Sequence, residues 1–148
     1  MARWKVLSKS KRRGAAVVEM ALILPVFFMV ILGIVEFGRA MMVAQIVTNA
    51  AREGAREAIL SGSTNQGISD QVAAYLNTTC QVATGDVTVA ITIVPHASNP
   101  DPLNVLANTL EGDQITIRVA VPFDKVSYIT GSYLGGKNLI GQATMRHE

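Results

Sequence analysis

Lys11-Arg12-Arg13-Gly14-Ala15-Ala16-Val17-Val18-Glu19, continued by Met20-Ala-Leu-Ile-Leu-Pro25-Val-Phe-Phe-Met-Val-Ile-Leu-Gly33-Ile-Val35, is the part of the chain from which the remainder can be read. Charge gives way to apolar residues at Gly14. From Ala15 to Val35 there are 21 residues, and Glu19 is the sole charge among them. At about 1.5 Å per residue such a helix spans a hydrocarbon core of roughly 30 Å. The stretch is apolar on all sides, as expected of a helix in lipid rather than one lying on a protein core. Pro25 removes one backbone donor inside it, which predicts a kink near Ala21. A passive anchor has no need of an acid five residues past Gly14.

The chain has 148 residues, enough for one membrane helix and one small domain. Its net charge of +2 conceals an asymmetry. Six of the 13 basic residues fall in the first 13 positions: Arg3, Lys5, Lys9, Lys11, Arg12 and Arg13. Residues 15–148 carry 7 basic and 11 acidic groups, a net of −4, which is not the balance of a nucleic-acid-binding protein. Under the positive-inside rule the basic end is cytoplasmic and the C-terminal part lies across the membrane. The single cysteine, Cys80, cannot close an internal disulfide and is expected to be a small buried residue.

Helical spacing continues past the apolar run. Met42, Ile46, Val47, Ala50, Ala51, Ala55, Ala58 and Ile59 recur on one face. Arg52 and Arg56 stand four apart, as do Glu53 and Glu57, the pattern of a solvated helix face. Ser61-Gly62-Ser63 is the expected stop. A helix from about Ala15 to Leu60 would hold 46 residues and measure roughly 69 Å, too long for the membrane alone. Its second half, past about residue 36, must pack on the C-terminal domain or on copies of itself.

Residues 61–148 read as a small α+β domain. Ile68 to Leu76 predicts a short helix with Ile68, Val72, Tyr75 and Leu76 on one face. Asp86–Val94 alternates, with Val87, Val89, Ile91 and Ile93 on one side, and Pro95 ends it. Residues 96–111, with Ser98-Asn-Pro-Asp-Pro102, form a loop by composition. Gln114–Val121 is a second alternating strand, closed by Pro122. Lys137–Arg146 is a weaker third, with Leu139, Gly141, Ala143 and Met145 on one face. Gly131, Gly135 and Gly136 mark a turn or short helix between them. The expectation is a three-stranded antiparallel sheet with the long helix on its apolar face.

No catalytic or metal-binding constellation emerges, and neither a cofactor nor a small-molecule substrate is implied. His96 and His147 have no Cys or His cluster near them in sequence. His96 is expected to be solvent-exposed. Asp101, Glu111 and Asp113 fall in loops without the pairing that acid–base work requires. Asn77-Thr-Thr79 matches a glycosylation sequon, a tripeptide common by chance.

Arg12-Arg13-Gly14 followed by an apolar helix with Glu19 at its fifth position resembles the processing site of type IV prepilins. The wider pattern resembles the TadE-like proteins, minor pilins or pseudopilins of the Tad (tight adherence, Flp-type) pilus system. It is carried by Glu19-Met-Ala-Leu-Ile-Leu-Pro25, Gly33-Ile-Val-Glu36-Phe-Gly38 and Asn49-Ala-Ala-Arg52-Glu-Gly-Ala-Arg56, and more weakly by Gln142-Ala-Thr-Met-Arg146-His-Glu148. Met20 follows Glu19 where major Flp pilins carry tyrosine, and those pilins are much shorter; both departures favour a minor pilin.

The resemblance implies a leader of residues 1–14, cleavage between Gly14 and Ala15 by a prepilin peptidase, and assembly through helix 15–60 with Glu19 setting register. Implied partners are that peptidase, other pilin subunits, the pilus assembly platform and the membrane. The implied location is the bacterial inner membrane, single-pass, with residues 61–148 outside the cytoplasm or, in a pilus, extracellular. The role is structural, supporting adhesion and biofilm formation, and not enzymatic. Other readings stand beside it. One is an uncleaved anchor bearing a binding module. Another is a secreted adhesin released by cleavage after Ala40, where Gly38-Arg39-Ala40 supplies small residues but Glu36 and Arg39 crowd the site.

Overall fold

A computed structural model of the chain describes residues 11–128 and 134–147. Arg3, Lys5 and Lys9 of the basic tract, Gly131 of the expected turn, and Glu148 lie outside these. The chain divides into two compact units, residues 1–35 and 36–148. Helix α1, Lys11–Ala58, supplies the described part of the first unit and opens the second. Pro25 lies inside it, and it is long and apolar enough to cross a membrane.

In the first unit, Gly14 to Val35 is exposed throughout, save for a half-buried Gly33. Phe27 and Phe28 meet edge to face with ring centroids 5.9 Å apart. Large aliphatic and aromatic side chains left in water each forgo about 1.5–3 kcal/mol of burial. Such a surface is stable only against lipid or other helices.

The second unit is the α+β domain. Helix α2, Asn65–Cys80, follows α1; strands β1 (Thr88–Val94), β2 (Gln114–Pro122) and β3 (Asn138–Arg146) form an antiparallel sheet in that order. Ile93 pairs with Ile115 and Ile115 with Met145; Ile117 pairs with Ala143 and Val119 with Gly141. These residues share the face turned to the helices, as the alternation predicts. Ile115, Ile117, Val119 and Val121 of the central strand are fully buried. They pack in one core with Val43, Val47, Ala50, Ala51, Ala55 and Ala58 of α1 and with Ile68, Val72, Leu76 and Cys80 of α2.

Several local expectations are corrected. The core face of α1 is centred on Val43 and Val47, whereas Met42 is 46% exposed. Positions 43, 47, 50, 51, 54, 55 and 58 form one stripe at helical spacing, and Met42 lies off it. Helix α2 is longer than the apolar run that revealed it. Thr64 caps its start by accepting from the Gly67 amide, and Gln81, at φ 60°, closes its end in the left-handed region. Tyr75 is 45% exposed rather than part of the buried face. Asp86 belongs to a 3-10 turn, Thr84–Asp86, so β1 begins at Thr88. The loop after β1 contains a 3-10 turn, Leu106–Asn108, with Leu106 buried. Pro122 is the last residue of β2, an end position at which a missing amide donor is tolerated.

Candidate functional site

Gly14 and Ala15 lie within the first turns of α1, so the segment expected to be cleaved is helical in the structure. Lys11, Arg12 and Arg13 are good helix formers and continue the helix backwards from the apolar run. A Cβ placed on Gly14 would meet nothing. Glu19 is exposed, and Ala16, Val17, Met20, Ala21 and Leu24 line a shallow apolar groove on the same stretch. A Cβ at Gly33 would also meet nothing, so the helix surface there is free of its own chain.

At the base of the second unit, two charged residues one turn apart hold a distant segment. Arg39 donates from Nε to the Val126 carbonyl at 3.1 Å, and its guanidinium lies 4.7 Å from the centroid of the Tyr128 ring. Glu36 is 3% exposed; its Oε1 accepts from Ser127 Oγ at 3.2 Å, while its Oε2 is buried with no hydrogen-bond partner. Glu36 and Arg39 thus tie residues 126–128 to α1. The sequence resemblance included Glu36 only as part of a motif. Nothing in the sequence pointed to partners about 90 residues away.

Asp113 is a second feature that sequence reasoning missed. It is fully buried. Its Oδ1 accepts from the His96 amide and from Asn99 Nδ2, and its Oδ2 accepts from the Leu110 amide. Burial by itself would raise the carboxyl pKa. The Leu110, Asn99 and His96 donors, with the charge of His147, outweigh it and hold Asp113 below its ordinary value. Asp113 therefore fastens the 95–111 loop to the end of the sheet. The side chain of His96 is exposed, as expected.

Cys80 is buried at the end of α2. Burial pushes its thiol up, against the opposing charge of Arg39. Asn77 of the sequon lies in the last turn of α2 and donates from Nδ2 to the Val82 carbonyl. Among the described residues, no three of the His, Cys, Asp and Glu side chains gather as a metal site.

Taken by residue types, these features belong to a membrane-compatible helix that carries a small α+β head. The TadE-like protein family model matches residues 14–56, less than a third of the chain. Over that stretch the chain is similar to TadE-like proteins. No curated protein and no solved structure matches it.

Proposed function

We propose that this chain is a minor pilin or pseudopilin of a Tad-type pilus. A prepilin peptidase cuts it between Gly14 and Ala15, and it joins other pilin subunits and the assembly platform through its N-terminal helix. The observation that carries this reading is the exposed apolar surface from Gly14 to Val35, broken by one acid, Glu19, inside the TadE-like stretch. The basic leader holds the N-terminus at the cytoplasmic face, near anionic headgroups, and places the head outside.

Cleavage frees the amine of Ala15 one turn from Glu19. An acid in lipid costs several kcal/mol unless partnered, and the amine of a neighbouring subunit is a suitable partner. At about 4 Å and an effective dielectric near 20 the pair attracts by roughly 4 kcal/mol before desolvation is subtracted. The small residues Ala15, Ala16, Ala21 and Gly33 suit close helix contacts. A kink at Pro25 adjusts the helix path where a backbone donor is missing. Because Gly14 is helical in the isolated chain, the peptidase must unwind the helix around the Gly14–Ala15 bond.

The test is the N-terminus and intact mass of the protein from its native membrane. Ala15 as first residue, with 14 residues missing, is the expected result. An intact Met1 would overturn the reading in favour of an anchored binding module, and a start at Met41 would favour a secreted one. Normal processing of Gly14→Leu would remove the cleavage assignment. Full incorporation of Glu19→Ala into pili would remove the register role.

A further inference from the structure

The exposed face of α1 in the second unit carries two charged rows of opposite sign. Arg52 and Arg56 form one, and Glu53 and Glu57 the other. Arg52, Glu53 and Arg56 are exposed and Glu57 is partly so. At 100° per residue the two rows lie about a quarter-turn apart, on adjoining flanks of the solvent stripe. Within each row the charges are alike at i and i+4, a spacing that weakens an isolated helix by about 0.2–0.5 kcal/mol per pair. The cross-row pair with a favourable spacing, Glu53 and Arg56, is not closed. Among the described residues the ion pair that forms is Lys125 with Asp86, at 3.1 Å, and none of the four helix charges takes part in one. The core explains the opposite face of this helix but gives these rows no partner.

We infer that the two rows are complementary halves of a contact between copies of this chain: Arg52 and Arg56 of one copy face Glu53 and Glu57 of the next. Rows of opposite sign on adjoining flanks fit two copies packed side by side in parallel, since an antiparallel pair would set like rows against each other. In a parallel arrangement the Arg row of one copy meets the Glu row of the next, and a repeated rotation extends the contact into an open helical array or a ring. The contact rests on the assembly reading above and deepens it: subunits pair through charge in the head-bearing half of α1, separately from Glu19. Rim charges of this kind set partner orientation more than they add affinity.

The experiment uses the full-length chain in its own membrane, with a photo-cross-linking residue at Asn49, an exposed position next to the rows. Four versions are compared with wild type: R52E/R56E, E53R/E57R, both of these co-expressed, and the full exchange R52E/E53R/R56E/E57R. The readouts are the cross-linked dimer and the amount of chain in sheared pili. Protection of buried Cys80 from alkylation verifies that each variant is folded.

Each single-row variant is expected to lose about tenfold of its cross-link, as two exposed attractions become repulsions. Co-expression and the full exchange restore it, and raised salt weakens the wild-type cross-link. Single-row variants that cross-link like wild type overturn the contact, as does a loss that neither co-expression nor exchange repairs. In both cases a wild-type chain found in polymer leaves the assembly reading standing. A wild-type chain that begins at Met1 and gives no cross-link overturns both.

Discussion

Gly141 of β3 lies directly on the backbone of Thr48 in α1: a Cβ built on Gly141 would stand 2.6 Å from the Thr48 Cα and nitrogen and 2.7 Å from the Val47 carbonyl carbon. No side chain can move aside there, because the obstacle is main chain. Gly141→Ala should therefore cost about 2–4 kcal/mol through forced separation of helix and sheet. Gly54 gives the contrast. Its Cβ would meet Val72 Cγ2 at 2.9 Å, a side-chain methyl, and alanine also favours the helix by about 1 kcal/mol over glycine. Gly54→Ala should cost less than Gly141→Ala, about 0–2 kcal/mol, because the gain in helix propensity offsets part of the displacement of buried Val72. Denaturant unfolding of the two variants checks this, and an equal cost for both would refute it.

Asp113 should set the acid limb of stability in the head. Its pKa is lowered from 3.8, so the folded state binds the proton more weakly than the unfolded one. The stabilisation is fully present above that ordinary value and is lost as pH falls through the lower, folded one. Asp113→Asn turns an acceptor toward the Leu110 amide into a donor or leaves that amide unpaired, at a cost of about 2 kcal/mol near neutral pH. Melting temperature against pH should fall steeply below 3.8 for wild type and more gently for the variant. Parallel curves would show that Asp113 does not control the limb.

The Arg39 clamp should be a local one. Arg39→Ala loses a hydrogen bond and a cation–π contact, together about 1–2 kcal/mol, and should raise amide exchange at Ser127 and Tyr128. Lysine should recover only part of the loss, since it lacks the planar guanidinium that serves both partners. Unchanged exchange in Arg39→Ala would mean that Arg39 does not restrain this segment.

Cys80 should be nearly inert toward alkylating agents in the native chain, because it is buried and its thiolate is disfavoured. Modification should speed up at least about a hundredfold when denaturant opens the head. Rapid modification of the folded protein would show an opening that reaches the end of α2.

Period and composition carried much of this fold at the level of the chain. The apolar run before Glu36 marked a membrane-compatible helix because lipid imposes no face on a side chain. The two alternating strands, Val87–Ile93 and Ile115–Val121, marked one-sided burial because a strand presents its faces every second residue. The TadE-like pattern over residues 14–56 was legible because it is local in sequence. Where a boundary depended on capping, the reading fell short. Thr64 and Gln81 extend α2 beyond its apolar positions, and Val43 displaces Met42 from the core by a single step of helical phase.

What the tertiary structure alone decided are the relationships between distant residues. Glu36 and Arg39 were charges beside a membrane segment until the fold brought Val126, Ser127 and Tyr128 to them. Asp113 was one loop acid among several until His96, Asn99 and Leu110 converged on it. Gly141 was a weak strand residue until α1 was laid across it. Periodicity reports which face of an element avoids water. It does not report which remote group will fill that face, because that depends on how the elements pack and on the hydrogen bonds that burial then demands.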